Sequence, residues 1–196
     1  MRTFKIGYIV GSTSAHSINR KLAIAISRLA QPHFEFVEIP LCELPVYNRD
    51  HDADYPQPGN HLKAAIESVD AVLIVTPEYN RGIPGALKNA LDFASRPWGT
   101  NSFAGKPVAI AGASGGPIGT AVAQFQLRGT LGFLDAIVMG QPEAYIQLTE
   151  TSIDETTGEP SESLAGFLRG YVATFEAFVA KNAEKPDDEY QESSAA

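Results

Sequence analysis

The first group of residues that could do chemistry is a hydroxyl-rich loop near the N-terminus, Gly11-Ser12-Thr13-Ser14-Ala15-His16-Ser17-Ile18-Asn19. It joins a short apolar run to a pattern typical of an amphipathic helix. Hydroxyl groups beside the free N–H groups at a helix start form a set of donors for a phosphate. The loop lacks Gly-x-Gly and Gly-Lys, so it predicts a site for a terminal monophosphate rather than for a dinucleotide or triphosphate. The alternative is that Ser17 is only a helix N-cap.

A second loop offers an aromatic ring and polar groups on a stiff backbone. It reads Thr76-Pro77-Glu78-Tyr79-Asn80-Arg81-Gly82-Ile83-Pro84-Gly85. A flat heteroaromatic ligand needs a face to pack on and polar groups at its edge, which Tyr79 and Asn80 could supply. The alternative is a rigid turn in which Tyr79 is an ordinary packing residue.

A third loop, Gly112-Ala113-Ser114-Gly115-Gly116-Pro117-Ile118-Gly119, is rich in glycine. Glycine lets a ligand approach the backbone closely, but it equally suits a tight turn, so this loop is weak support for a site when taken alone.

The remaining reactive side chains do not form a recognisable catalytic group. The four histidines lack the His-x-x-His and His-Glu-x-x-His spacings of metal sites, and the single cysteine, Cys42, is too little for a thiolate site. Cys42 also cannot close an internal disulfide, which excludes a disulfide-built secreted scaffold. We therefore predict neither a metal site nor a protein nucleophile.

The charge of the chain excludes two classes of partner. The chain has 196 residues, 44% of them hydrophobic, and a formal net charge of −8. This acidic balance argues against nucleic-acid binding and against a basic membrane-surface patch. The acids concentrate in residues 150–163, with five acids and no base, and in residues 182–196, with five acids and one base. The rest of the chain is nearly neutral.

These counts and the first residues also predict the organisation of the chain. We expect residues 1–181 to form one domain and residues 182–196 to be a disordered acidic tail. The apolar run before Gly11 spans only five residues, too few for a signal peptide or a membrane helix, so we expect a cytoplasmic protein.

The elements that must position the three loops follow from the apolar pattern. Short apolar runs, one of them alternating with acids, predict five strands at residues 6–10, 34–39, 71–75, 108–111 and 136–139. Helical patterns lie between the strands and after the last one, which predicts an α/β domain with helices on both faces of a parallel sheet. With residues 34–39 at an edge, the strand order is 2-1-3-4-5, that of a flavodoxin-like three-layer sandwich. Ligands bind beyond the carboxyl ends of such strands, where the three loops lie.

The three loops and two further segments carry a resemblance. The segments are Leu87-Lys88-Asn89-Ala90-Leu91-Asp92 and Leu131-Gly132-Phe133-Leu134-Asp135-Ala136. From about Lys5 to Tyr145 the chain closely resembles the NAD(P)H-dependent FMN reductase family, which includes quinone, azo and chromate reductases. The most specific part is Pro77-Glu78-Tyr79-Asn80 followed by Pro84-Gly85 and Leu87-Lys88-Asn89.

The resemblance implies which residues bind FMN. At the phosphate they are Ser12, Ser17 and Asn19, with Ser14 and Ile18 in the same loop; along the isoalloxazine ring they are Pro77, Glu78, Tyr79 and Asn80; at a second flavin contact they are Ser114 and Gly115. Many members of the family carry an arginine where this chain has Ser14. The resemblance therefore also implies that FMN is held more weakly here.

The implied activity is hydride transfer from NADPH or NADH through FMN to quinones, azo compounds or similar small acceptors. No catalytic side chain is required, because FMN carries the chemistry. Arg49 and Arg81 are candidates for attracting the extra phosphate of NADPH, and ordinary solvated arginines are the alternative. The family also implies a homodimer or homotetramer, whereas the expectation of neither nucleic acid nor membrane as a partner comes from the charge balance.

Two other functions stay open from the sequence. A flavodoxin-like electron-transfer protein would bind FMN without oxidising NAD(P)H, although flavodoxins usually lack the motif at residues 77–89. A non-enzymatic α/β binding domain is the third possibility, because a fold alone does not determine function.

Overall fold

The computed structural model describes residues 2–41 and 44–183. Its strands are Phe4–Val10 (β1), Phe34–Glu38 (β2), Ala71–Val75 (β3), Pro107–Ser114 (β4), Ile137–Val138 (β5) and Ala144–Gln147 (β6). Its helices are Ile18–Leu29 (α1), Gln57–Glu67 (α2), Gly85–Ala94 (α3), Ala121–Phe133 (α4) and Glu162–Asn182 (α5), and a short 3-10 helix spans Arg49–Asp52.

The strands form one parallel sheet in the order β2-β1-β3-β4-β5. β2 lies at the edge and, among the described strands, pairs only with β1, in a register that places Phe4 beside Phe34. β3 pairs with β1 on one side and with β4 on the other. The predicted order 2-1-3-4-5 and the α/β class are confirmed.

Each face of the sheet carries its own hydrophobic core, because successive side chains of a strand point to opposite faces. In the fully buried β3, Leu73 belongs to the core under α1 and α5. Its neighbours Val72 and Ile74 belong to the core under α2, α3 and α4. Two cores around one sheet give the expected three layers.

Two segments share the position of the fifth strand. β5 pairs with the start of β4 and β6 with its end. Met139 N–H still donates to Val108 O at 2.8 Å, and residues 140–143 leave the sheet between the two strands. The Arg128 guanidinium donates to the carbonyl oxygens of Met139 at 2.6 Å and Gly140 at 3.4 Å, which satisfies groups that the sheet no longer pairs. The sequence predicted only the first segment, because β6 is four residues long and alternates buried with exposed side chains.

The last helix runs slightly further than predicted. α5 ends at Asn182, and Ala183 is its C-cap, so these two residues of the predicted tail belong to the helix end. Residues 184–196, the rest of that tail, lie outside the described residues, as does Cys42. Within the described part of the chain, no helix is both long and apolar enough to span a membrane.

Candidate functional site

The three loops identified from the sequence follow β1, β3 and β4, so they meet at the carboxyl edge of the sheet. Backbone pairing continues into them: Gly11 N–H donates to Val75 O at 2.8 Å, and Thr76 N–H donates to Ala111 O at 3.0 Å. The second and third loops touch at Gly112, where a Cβ atom would lie 2.4 Å from Thr76 O. Only glycine allows this approach.

The first loop keeps its hydroxyl hydrogens available for a ligand. Three serine hydroxyl oxygens each accept a backbone N–H at 3.3 Å: Ser12 from Ser14, Ser14 from His16, and Ser17 from Arg20. Because each of these oxygens accepts, its O–H remains free to donate. Ser17 is the N-cap of α1 and accepts from Arg20 N–H, the first N–H group bonded in the helix. The N–H groups of Ile18 and Asn19 precede it, so they are the ones at the helix start that can serve a ligand.

Asn19 is a positioning residue. Its side chain is buried; the amide nitrogen donates to Ala113 O at 3.0 Å, and the amide oxygen accepts from Ala113 N–H at 2.8 Å. These two bonds fix the start of α1 against the end of β4. Both polar atoms of the carboxamide are thus bonded to Ala113, so any contribution of Asn19 to an anion site comes from its backbone N–H.

The charges near the first loop agree with a neutral donor set. The two basic residues that open α1 are already paired, Arg20 with Glu38 and Lys21 with Glu155. Serine at position 14 supplies no cation. Hydroxyl and backbone donors at a helix start still suit one phosphate group, so the loop fits the phosphate of FMN.

The second loop folds into a tight turn. Tyr79 and Gly82 exchange two backbone hydrogen bonds of 3.1 and 2.9 Å, and the two residues between them, Asn80 and Arg81, have φ angles of +51° and +62°. Positive φ at both central positions is the pattern of a type I′ turn. The ring of Tyr79 is exposed on this turn, whereas Pro77 is buried beneath it.

Glu78 ties this turn to α4. Its carboxylate, only 7% exposed, accepts from the N–H groups of Val122 and Ala123 at 3.0 and 3.1 Å and from the Arg81 guanidinium at 2.9 Å. Burial by itself raises the pKa of Glu78, but the hydrogen bonds from Ala123, Arg81 and Val122 outweigh it and hold the pKa below its usual 4.5. The ionised carboxylate is therefore the N-terminal cap of α4.

A cavity of about 430 Å³ opens between the second and third loops. Its lining residues are Glu78, Asn80, Arg81, Ser114, Gly116, Pro117 and Ile118. The structure thus brings three predicted site residues, Glu78, Asn80 and Ser114, to one cavity. Ser12, Ser14, Ser17 and Ile18 do not line it; they form the separate group of donors at the start of α1.

The third loop contributes backbone more than reactive side chains. The Ser114 hydroxyl donates to Gly116 O at 2.9 Å, and Gln147 at the end of β6 donates to Gly115 O at 3.1 Å. The segment Gly112 to Gly116 matches the Gly-x-Ser-x-Gly spacing of hydrolases. Ser114 donates to a carbonyl rather than to a histidine, so it lacks the base that such a nucleophile needs.

One group of positioning residues was not assigned from the sequence. The Asn89 side chain accepts from Tyr47 N–H and donates to Pro45 O, both at 2.8 Å, so it fixes the segment after residue 44 to α3. The Tyr47 hydroxyl then donates to Asp52 at 3.0 Å, and Arg96 is paired with Asp52. The motif Leu87-Lys88-Asn89 was the signal for this contact, although spacing alone could not show what Asn89 binds.

Comparison with known proteins identifies the family. A family model described as NADPH-dependent FMN reductase matches residues 4–151. A 2-hydroxy-1,4-benzoquinone reductase from Burkholderia sp is 46% identical over 175 residues, covering 89% of this chain and 96% of that protein. A quinone reductase from Pseudomonas putida is 38% identical over 182 residues, covering 92% of this chain and 97% of that protein.

A solved structure gives the same result at the level of the fold. FerB, a flavoenzyme NAD(P)H:(acceptor) oxidoreductase from Paracoccus denitrificans, superposes with a TM-score of 0.87 at 41% identity, covering 92% of this chain and 99% of that chain. The resemblance drawn from the loop motifs is confirmed, and the chain belongs to the NADPH-dependent FMN reductase family.

Proposed function

We propose that this protein is an NAD(P)H-dependent FMN oxidoreductase that reduces quinones, azo compounds or similar small acceptors. One observation carries the proposal: phosphate donors at the start of α1 lie at the same sheet edge as the open cavity between the second and third loops. This arrangement suits a ligand with one phosphate and one flat ring. The relatives named as quinone reductases support the choice of acceptor.

The proposed FMN site uses all three loops. Ser12, Ser14 and the first-turn N–H groups of α1 bind the phosphate, while Ser17 caps the helix and Asn19 positions it. The backbone of residues 77–80, with Asn80 and the exposed Tyr79 ring, borders the isoalloxazine. Ser114 and Gly115 supply the third side.

The chain positions the reactants rather than reacting itself. Bound FMN would supply the redox chemistry that couples NAD(P)H oxidation to reduction of the acceptor. Hydrogen bonds at Glu78, Asn19 and Asn89 keep the surrounding loops in place. The exposed cavity leaves room for nucleotide and acceptor to bind one after the other.

Steady-state kinetics test this proposal. FMN-loaded protein is mixed with NADPH or NADH and a benzoquinone while both substrate concentrations are varied. We expect nucleotide oxidation that requires both FMN and quinone, with parallel double-reciprocal plots, because the two substrates use one site in turn. FMN binding without nucleotide oxidation would instead identify an electron carrier, and absence of FMN binding would contradict both functions.

We also propose that the protein is a homo-oligomer, a dimer or a tetramer. An apolar stripe on α4 supports this proposal: Phe125 is 76% and Phe133 80% exposed, and Val122 lies on the same surface. Large exposed aromatic side chains in one stripe are typical of a surface that another chain covers. A second copy of this chain is the proposed occupant.

The remaining partners follow from the reaction. The acceptor is proposed to be a small molecule, because the cavity has a volume of about 430 Å³ and relatives are named quinone reductases. We place the activity in the cytoplasm, since it consumes NADPH or NADH.

A further inference from the structure

The arginine of the second loop has a backbone conformation that its side chain does not favour. Arg81 lies at φ +62°, in the left-handed region that glycine adopts most readily. A type I′ turn is usually built from asparagine followed by glycine, yet here Asn80 precedes an arginine. Unfavourable backbone geometry of this kind clusters at functional sites.

The turn and its arginine are held by Gln126 of α4 and by Glu78. Gln126 of α4 donates to Arg81 O at 3.0 Å, and the guanidinium donates through one nitrogen to Glu78 at 2.9 Å. The other oxygen of Glu78 caps α4. The guanidinium is therefore oriented before any ligand binds.

Most of the N–H donors of the Arg81 guanidinium remain available for a ligand. Arg81 is 63% exposed, and its bond to Glu78 uses only one of its five N–H donors. The partial positive charge at the start of α4 offsets part of the Glu78 charge, so the positive charge of Arg81 is not fully cancelled. Among the described residues that line the cavity, Arg81 is the sole cation.

We propose that Arg81 is a specificity-determining residue that binds the 2′-phosphate of NADPH and makes the protein prefer NADPH to NADH. A planar guanidinium with free N–H donors matches a phosphate dianion. Arg49 was the other candidate from the sequence for attracting the NADPH phosphate. It lies in the 3-10 helix and does not line the cavity. This inference rests on the proposed function, because it assigns one group of the proposed nucleotide substrate.

The test compares two variants with a matched control. Arg81→Gly removes the charge and suits the positive φ, so the turn keeps its fold, and Arg81→Lys keeps the charge without the planar group. Arg169→Ala is the control: this arginine of α5 is 57% exposed and is also ion-paired, to Glu162 at 3.3 Å. Thermal unfolding of the FMN-loaded proteins checks that each variant is folded.

Binding is measured first, by calorimetry on FMN-loaded protein with 2′,5′-ADP and with 5′-AMP. We expect the wild type and Arg169→Ala to bind 2′,5′-ADP at least about tenfold more tightly than 5′-AMP, since hydrogen bonds between charged groups contribute that much. Arg81→Gly loses this difference, and Arg81→Lys keeps part of it. The inference is wrong if the wild type shows no preference, if Arg81→Gly retains it, or if Arg81→Gly weakens both ligands equally.

Turnover separates this inference from the proposed function. In Arg81→Gly, kcat/KM for NADPH falls by about tenfold through KM, while kcat/KM for NADH stays within about twofold. If the wild type binds 2′,5′-ADP selectively through Arg81 but oxidises neither nucleotide, the proposed function fails and the assignment of Arg81 stands. If both nucleotides are oxidised with an unchanged ratio in Arg81→Gly, the function stands and the assignment fails.

Discussion

At the residue scale, Glu78 connects the second loop to α4 through a single carboxylate. It caps α4, orients Arg81 and borders the cavity. The sequence placed Glu78 in the ligand-binding loop, and the structure shows that its side chain is engaged by protein groups. A residue of a binding motif can therefore act by holding the loop in place.

We predict that Glu78→Gln destabilises the protein by about 1–2 kcal/mol near pH 7, the usual contribution of a charged helix cap. Because hydrogen bonds lower the pKa of Glu78 in the folded protein, its stabilising effect is complete above the usual value of 4.5. It is lost as the pH falls through the lowered pKa. The measurement is urea unfolding of wild type and variant over a pH series.

The control for this prediction is Glu162→Gln, which changes an exposed acid in the first turn of α5. We expect the control to change stability by less than about 0.5 kcal/mol. A Glu78→Gln effect that stays constant as the pH is lowered from 7 until the wild-type protein unfolds would mean that packing, not charge, is lost.

The limits of sequence reasoning are clearest at individual polar residues. The motifs identified the loops and most of the candidate positions, because hydroxyl, glycine and aromatic residues have recognisable local roles. Asn19 and Asn89 instead bond to backbone atoms of Ala113, Tyr47 and Pro45, which are distant in sequence. Such contacts depend on how elements pack, so residue spacing could not reveal them.

At the scale of elements, the geometry of the site at the sheet edge depends on how closely the second and third loops pack against each other. A Cβ atom on residue 112 would lie 2.1 Å from the Thr120 hydroxyl oxygen and 2.4 Å from Thr76 O. The second of these contacts is backbone and cannot rotate away. Gly112 is therefore required by packing, whatever role the loop has toward a ligand.

We predict that Gly112→Ala lowers the free energy of unfolding by about 1–3 kcal/mol, the range for overpacking in a dense core. FMN affinity should fall with it, because the second and third loops are forced apart. Gly170→Ala is the control, since its new methyl group on α5 meets open space and should add about 0.5–1 kcal/mol. Equal stability of Gly112→Ala and wild type in denaturant titrations would show that the loops have other room to adjust.

The strands illustrate why some elements were predictable. Continuous apolar runs marked β1, β3 and β4, because strands buried on both faces have few alternatives. Of the two strands at the fifth position of the sheet, the sequence predicted β5 but not β6. Both strands are short, and the segment between them is held by Arg128 of α4. An interaction from another element cannot be read from the strand itself.

At the scale of the whole molecule, the acidic segment at residues 150–163 packs against the rest of the domain. Glu155 is paired with Lys21, and Thr157 O accepts from Arg28 at 2.8 Å, so the segment is held on α1. Bases of α1 thus compensate part of the acidic charge of this segment locally, while the net charge of the chain stays −8.

The apolar stripe on α4 gives a prediction about assembly. Phe125→Glu places a charge in the proposed contact between copies, so we expect a lower molar mass by light scattering. Phe167→Glu on α5, also an exposed phenylalanine, is the control and should leave the molar mass unchanged. An unaltered assembly in Phe125→Glu, or a wild-type monomer, would exclude α4 as the contact surface.

The central claim is that bound FMN links NAD(P)H oxidation to quinone reduction in this protein. The most direct measurement follows the visible absorbance of FMN-loaded protein in a stopped-flow instrument without oxygen, with NADPH or NADH added first and a benzoquinone second. We predict that the absorbance of oxidised flavin disappears on mixing with the nucleotide and returns on mixing with the quinone. Flavin that stays bound and oxidised in the presence of both nucleotides would contradict the claim.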